Sequence, residues 1–293
     1  MLAALLLFTA MLTALAGTSA DLKPQFDQIE RDSRGSLGLC AVLVRTGETI
    51  EFHADKSFPM QSVYKFPIGM SVLSDVDQGR LKLDQPVKIS AADLVPASLH
   101  SPIRDQHPGG TELPLREVLR FMVSESDGTA SDVLLKLTGG PEKVTAYLRG
   151  LGIEDVTVAT SEAEMAKDNR AQYRNRSTPH GMAQLFREFQ NGRGLSATSR
   201  ALLLEFMTKT DTGPMRLKGM LPAGTTVAHK TGTSGTVKGM TAATNDAGLI
   251  TLPNGEKLAV AVFVSDSKGD TGQRERAIAS ATRIAWDWFA GSK

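Results

Sequence analysis

Strand-like segments stand at both ends of this chain and helix-like segments fill the space between, an order that few folds accommodate. Near the start, residues 37–44 and 48–53 are apolar, β-prone runs flanking Thr46-Gly47, a hairpin signal. Strand patterns return at 225–230, 239–245, 248–252 and 257–265, the last two joined by the turn Pro253-Asn254-Gly255. Between them the period is helical. Leu115, Val118, Leu119 and Met122 follow Pro114 at i, i+3, i+4, i+7; Gly140-Pro141 opens a helix through Val144, Tyr147, Leu148 and Leu151; Thr178-Pro179 opens another through Met182, Leu185, Phe186 and Phe189. Ser196 or Thr198 caps a further helix carrying Leu202, Leu203 and Phe206. Helices at 21–34, with Leu22, Phe26 and Ile29, and at the end, with Ala277, Ile278, Ala281, Ile284, Ala285 and Trp288, cover the sheet. The pattern predicts an α+β fold: one antiparallel sheet assembled from the two chain ends, with an all-helical domain inserted. The boundaries are 21–57 plus 210–293 for the sheet-and-helix domain and 58–209 for the helical one.

At 293 residues the chain can bury a substantial core. Its 33 lysines and arginines against 32 aspartates and glutamates give a net charge of +1 with no basic run, which argues against nucleic acid or an anionic membrane surface as partner and for a small-molecule substrate. Residues 1–20 are uncharged apart from the amino terminus until Asp21, apolar from Met1 to Ala16, and end in Thr18-Ser19-Ala20. Too short for the roughly 20 apolar residues of a membrane span, this stretch reads as a signal peptide cleaved near Ala20, and the protein as secreted or periplasmic. The single cysteine, Cys40, has no internal disulfide partner and sits among strand residues as a buried thiol. His53, His100, His107, His180 and His229 show no metal-ligand spacing, so neither a metal nor a cofactor is expected. The protein is expected to act as a monomer.

Chemistry concentrates around Ser62-Val63-Tyr64-Lys65, in a helical segment extending to Leu81. A spacing of three puts the hydroxyl and the ammonium on one face. A lysine amid apolar residues must find a carboxylate or lose its proton, and either outcome makes a base. Pro67 removes the hydrogen bond to Val63, so this turn is bent or begins abruptly. Downstream come Ser126-Asp127-Gly128, in a break between helices, and Lys230-Thr231-Gly232-Thr233, ending a strand where Gly232 and Gly235 admit a close neighbour. Between them, residues 157–177 form a long polar connection without clean periodicity, which marks it as functional; it holds Glu162 and Glu164.

With the three motifs in this order and an acidic loop between the second and third, the sequence resembles a class A serine β-lactamase, within the penicillin-recognising serine hydrolases. The likeness spans nearly the whole mature chain, and Gln172-Tyr173-Arg174-Asn175 with the run from Ser62 to Pro67 is similar to the divergent second branch of class A. The resemblance implies a five-stranded sheet flanked by helices and a secreted enzyme that hydrolyses the amide bond of β-lactam antibiotics, conferring resistance. It implies an acyl-enzyme on Ser62, with Lys65, or Glu162 through a water, as acylation base, Ser126 as proton relay and Glu162 activating the deacylating water. Spacing alone does not choose between Glu162 and Glu164; the resemblance selects Glu162, with Met165 at the family's apolar position. It also implies that Lys230, Thr231, Gly232, Thr233 and Arg216 bind substrate, that the backbone N–H groups of Ser62 and Thr233 hold the oxyanion, and that His100 stands near a wall of the site. Asp127 reads as structural. Two departures stand out: Gly128 where the family carries asparagine, and Ala166 where a polar residue helps hold water. A D,D-carboxypeptidase shares the three motifs, and the loop glutamate argues against it; the other alternative, a β-lactam sensor that acylates and stays acylated, is favoured by the departures at Gly128 and Ala166 and is separated by whether turnover is sustained.

Overall fold

A computed structural model describes residues 19–291. Apart from its last two positions, the leader read at residues 1–20 lies outside the described residues. Helix α1 (Lys23–Ser33) leads into β1 (Ser36–Leu43) and β2 (Thr49–Phe52), a hairpin whose turn uses Gly47 at φ 78°. A short β3 (Phe58–Pro59) and a 3₁₀ turn, Gln61–Tyr64, precede α2 (Lys65–Asp77). The helical half continues with β4 (Pro86–Ser90), α3 (Pro102–Gln106), β5 (Gly110–Pro114), α4 (Leu115–Ser124), α5 (Gly128–Leu137) and α6 (Pro141–Gly150). Next come β6 (Val156–Thr157), α7 (Glu162–Lys167), a 3₁₀ turn at Asn169–Arg174, β7 (Arg176–Ser177), α8 (Pro179–Gln190) and α9 (Ala197–Thr208). The chain then returns through β8 (Val227–Thr233), β9 (Thr236–Val237), β10 (Met240–Thr251) and β11 (Lys257–Ser267) to α10 (Thr271–Gly291).

The main sheet runs β2-β1-β11-β10-β8, antiparallel throughout, so the first two strands pair with the last three across the length of the chain. Its five-stranded ladder matches the expectation; the two-residue β9 adds a sixth strand by pairing with β10. The segments read as separate strands at 239–245 and 248–252 are one continuous strand. Gly248 looked like a break, but it is a close approach: a Cβ there would lie 2.2 Å from the Ala228 carbonyl and 2.7 Å from the His229 Cα. The small pairings β4–β5 and β3–β7–β6 were not read from the sequence; β3, β6 and β7 are two residues each, too short to show alternation, whereas β4 does alternate, with Val87 and Ile89 inward.

Both sheet faces are buried. Leu37, Leu39, Ala41 and Leu43 of β1 join Phe26 of α1 and Ile278, Ala281, Ala285 and Phe289 of α10 on one side. Cys40 and Val42 face the larger cluster shared with α8 and the helical half. There Phe66 of α2 stacks on Phe186 (centroids 4.0 Å apart, 13° between planes) and meets Phe189 edge-on at 5.3 Å. Each such ring contributes about 1.5–3 kcal/mol by leaving water. This packing fixes α2 against the sheet and hence the turn at its head.

The helix expected from Ser62 to Leu81 is shorter than the pattern suggested, with a 3₁₀ turn followed by α2 ending at Asp77. Pro67 is the third residue of α2, in the first turn, where an N–H has no intrahelical acceptor to lose. The proline therefore marks a change of helix type, not a kink. The long connection 157–177 is closed at its neck, where Val156 and Thr157 pair with Ser177 and Arg176 while β3 pairs with β7. A loop with paired ends is an Ω-type excursion, and this one lies beside the Ser62 turn.

Candidate active site

In a 3₁₀ turn residues three apart eclipse one another. The turn at Gln61–Tyr64 therefore aligns Ser62 with Lys65 more closely than an α-helix would, and Gln61 enters it at φ 47°, a left-handed conformation costly for a side-chain residue. Lys65 is 1% exposed. Its Nζ lies 2.9 Å from Glu162 Oε1 and donates to the Ser126 carbonyl at 2.7 Å, so the buried ammonium has found a carboxylate.

Ser126 follows the end of α4 at φ 60°, again left-handed. Its conformation is held from behind: Asp127 caps α5 by accepting from Ala130 N at 2.8 Å, and takes further hydrogen bonds from Ile103 N at 2.7 Å and the Ser101 hydroxyl at 3.1 Å. Ser126 Oγ accepts from Lys230 Nζ at 2.9 Å. Lys230 is fully buried, and burial together with the nearby Lys65 charge pushes its ammonium well below the ordinary lysine range.

Strand β8 reaches the Ser62 turn because position 232 lacks a side chain. A Cβ on Gly232 would stand 2.3 Å from the Met60 carbonyl and 3.1 Å from the Ser62 nitrogen. Asn245 of β10 fastens the same turn, its Nδ2 donating to the carbonyls of Pro59 (2.7 Å) and Met60 (3.1 Å). Nothing in the sequence flagged Asn245, which reads as an ordinary strand residue. Arg216 is buried, with NH1 donating to the Gly232 and Asn245 carbonyls (3.3 and 3.1 Å), NH2 to Thr233 Oγ1 (2.8 Å) and Nε to Glu275 (3.2 Å). Thr231 Oγ1 shares a 2.7 Å hydrogen bond with Thr212.

The choice between the two loop glutamates is made by burial. Glu162 is 7% exposed and points at Lys65, whereas Glu164 is exposed and closes a capping box with Ser161 while accepting from Thr160 Oγ1 at 2.6 Å. Asp132, which sequence reading passed over, and Asn175, quoted there only as part of a family likeness, set this arrangement. Asp132, one turn into α5, accepts from Glu162 N at 2.7 Å and Ala163 N at 2.8 Å. Burial raises its pKa to about 6, the two backbone donors working against that rise. Asn175 accepts from Ala159 N (2.7 Å) and Thr160 N (3.0 Å), donates to the Thr160 carbonyl (3.0 Å) and takes Met60 N on its own carbonyl (2.9 Å), joining the loop to the Ser62 turn. Neither carries a local signal: Asp132 stands between Ser131 and Val133, and Asn175 between Arg174 and Arg176.

Ser62, Lys65, Ser126, Glu162, Arg216, Thr231 and Thr233 line one cleft of about 350 Å³, with Met165 and His100 at its walls. His100 is held by a 2.9 Å contact from Nε2 to the Glu125 carbonyl. Lys230 and Gly232 stand behind this surface, not on it. Ala166 is exposed and is not among the residues lining the cleft. The polar loop groups facing the cleft are Asn169 and Gln172; Gln172 donates to Asn169 Oδ1 at 2.8 Å and accepts from Gln61 Nε2 at 2.6 Å. At Gly128 a Cβ would fall 3.1 Å from the His100 carbonyl and 3.6 Å from Glu162 Cγ, so this departure does border the glutamate.

A partly buried serine at the head of a helix, a buried lysine one turn on and a loop carboxylate meeting that lysine, on a sheet joined from both termini, are the architecture of a serine β-lactam hydrolase, and comparison with known proteins agrees. The β-lactamase enzyme family profile matches residues 21–289. The chain is 41% identical over 268 residues to the extended-spectrum β-lactamase PER-1 of Pseudomonas aeruginosa (91% of this chain, 87% of the relative), and 39% identical over 271 residues to β-lactamase VEB-1 of the same organism (92% and 90%). Among solved structures, a β-lactamase from Chitinophaga pinensis superposes with a TM-score of 0.88 at 44% identity (91% of this chain, 98% of that one). The TLA-1 extended-spectrum β-lactamase superposes at 0.90 with 38% identity (93% and 99%). The chain belongs to the β-lactamase enzyme family, as a class A serine β-lactamase, and is a β-lactam hydrolase of the kind that confers antibiotic resistance.

Proposed function

We propose that the enzyme opens the β-lactam amide through an acyl-enzyme on Ser62 and releases it with water activated by Glu162. The observation that carries this reading is the 2.9 Å contact between Lys65 and Glu162 at the floor of the cleft that Ser62 and Ser126 line. A serine hydroxyl is a poor nucleophile at neutral pH and needs a base within reach; Lys65, or Glu162 through a water, takes its proton. The Ser62 and Thr233 N–H groups hold the developing oxyanion, a donor type whose loss costs about 3–4 kcal/mol in a comparable hydrolase. Ser126, between two lysines, passes a proton to the departing nitrogen.

Thr231 and Thr233 receive the substrate carboxylate, with Lys230 and Arg216 supplying positive potential from behind Ser126 and Thr233. An anion arriving there offsets the repulsion from Lys65 and favours the charged form of Lys230. Glu162 then removes a proton from water as it attacks the ester, the step that separates a hydrolase from a protein that is only acylated. Two domains, 21–57 with 210–293 and 58–209, supply the two walls. The enzyme acts as an exported monomer whose leader is removed near Ala20. No helix among the described residues is long and apolar enough to cross a membrane.

Sustained turnover of a chromogenic cephalosporin by the native enzyme, with Glu162→Ala reduced to a single stoichiometric burst, is the expected outcome. Continued rapid turnover in Glu162→Ala would remove Glu162 from the deacylation step.

A further inference from the structure

Away from the cleft, one cluster of metal-ligating side chains stands out among the described residues. Cys40 and Glu51 are direct partners across the β1–β2 ladder, so both side chains leave the same face of the sheet. Helix α8 packs on that face, and its first turn presents His180, whose backbone N–H is anchored on the Ala54 carbonyl at 3.1 Å. The thiol lies 3.6 Å from Glu51 Oε1, His180 Nδ1 lies 2.8 Å from the same oxygen, and the three ligand atoms are all within 4.8 Å of one another.

We propose that Cys40, Glu51 and His180 form a binding site for a thiophilic d¹⁰ cation, Zn²⁺ or Cd²⁺, with water in the fourth position. A thiolate, an imidazole and a carboxylate make a donor set suited to tetrahedral zinc. With metal bonds of about 2.0 Å to N and O and 2.3 Å to S, a tetrahedral centre sets its ligands roughly 3.3–3.5 Å apart. The Cys40–Glu51 separation already matches that edge, and the His180–Glu51 pair opens by about 0.5 Å on the same geometry. On binding, the thiol proton leaves to solvent, and imidazole Nδ1 turns its lone pair to the metal with the ring proton carried on Nε2. The Glu51 carboxylate beside the thiol, with Asp55 near it, supplies negative charge that attracts a divalent cation. Glu51 and His180 are partly solvent-exposed while Cys40 is buried, so the site has an open side for entry and a dry side for the sulfur.

The site is separate from the hydrolytic cleft. Strand β1 is divided from β8 by β11 and β10, and none of the three residues lines the cleft. Occupancy would clamp the β2 edge to α8, stabilising the fold without entering the reaction. The histidine pattern in the sequence gave no hint, because the three ligands come from positions 40, 51 and 180 and meet only through sheet pairing and helix docking.

The test uses Cd²⁺ and Zn²⁺ added separately to the purified enzyme. Cd²⁺ should produce a thiolate-to-metal charge-transfer band at a single equivalent, attributable to Cys40 because the chain has no other cysteine. Chelator competition should show Zn²⁺ affinity falling by at least about 10–100-fold, the range for losing even an outer-shell partner, in Cys40→Ser, His180→Gln and Glu51→Gln. The band should vanish in Cys40→Ser alone, and antibiotic turnover should be the same in all three variants. His180→Gln and Glu51→Gln alter partly exposed groups and carry the test if Cys40→Ser does not fold. Absence of the band at saturating Cd²⁺, or Zn²⁺ affinity unchanged by all three substitutions, would overturn the proposal.

Discussion

The two walls of the cleft are built by different means. On the β8 side, position is set by main chain: an antiparallel ladder to β10, a glycine that lets the strand touch the Ser62 turn, and an Arg216 whose donors are spent on two carbonyls, a threonine hydroxyl and Glu275. On the Glu162 side, six residues of α7 and a 3₁₀ turn hang from a paired neck and are held chiefly by the side chains of Asp132, Asn175 and Gln172. Fixed charge and hydrogen-bond donors thus come from the sheet side, while the carboxylate proposed to act on water comes from a loop. A sheet position fails only when backbones are forced apart, whereas a loop position can be lost by deleting one hydrogen-bond acceptor.

Both walls face Ser62, the proposed nucleophile, and the largest effect is expected there. Ser62→Ala should lower turnover on the order of 10⁴-fold or more, as removal of the nucleophile does in other serine hydrolases, with thermal stability largely kept. Steady-state hydrolysis with a melting curve checks both halves. On the sheet wall, Gly232→Ala should drive a methyl into the Met60 carbonyl. Overpacking of that kind costs about 1–3 kcal/mol of stability, and a displaced Ser62 turn should cost about 100-fold in kcat. Normal activity in this variant would mean that the strand and the turn are not coupled.

The loop wall should respond to pH on the acid side of neutrality. The Asp132 pKa is raised to about 6 in the folded protein, above the ordinary carboxylate value. Between the two values the native state holds the extra proton, so stability falls as pH rises through this window, while ionisation frees both oxygens to accept the Glu162 and Ala163 N–H groups. The expected result is an acid limb of kcat near pH 6 in the native enzyme. Asp132→Asn should remove that component and lower kcat about 10-fold at neutral pH, one N–H losing its partner. An unchanged pH profile would remove Asp132 from control of the loop. Smallest is Gly128→Asn, where a side chain enters between the His100 carbonyl and Glu162. KM for acylamino β-lactams should fall about 2–10-fold, one net hydrogen bond of roughly 0.5–1.5 kcal/mol. A higher KM would mean that the 3.1 Å approach to His100 closes the pocket.

The same contrast explains how much could be read from the chain. Ser62, Lys65, Ser126, Lys230 and Thr231 sit in short motifs whose spacing is dictated by one turn or one strand, so local sequence carries them. The strands at both ends and the amphipathic helices between were legible for the same reason. Asp132, Asn175 and Asn245 act across long sequence separations, and their partners are mostly backbone groups with no residue identity to recognise. Ala166 shows the converse: a loop residue placed by likeness alone is exposed and stands outside the cleft lining, although its spacing of four from Glu162 puts it on the same side of the short helix α7. Spacing left Glu162 and Glu164 as two candidates; the family likeness favoured Glu162, and its burial against Lys65 supports that choice.

The most direct measurement is tandem mass spectrometry of Glu162→Gln after mixing with a penicillin. The account predicts an adduct of the whole antibiotic mass, one per protein, located on Ser62, persisting long after the native enzyme has cleared its substrate, and absent when Ser62→Gly is combined with it. Free hydrolysed product with no adduct on Ser62, or an adduct released as fast as in the native enzyme, would contradict it.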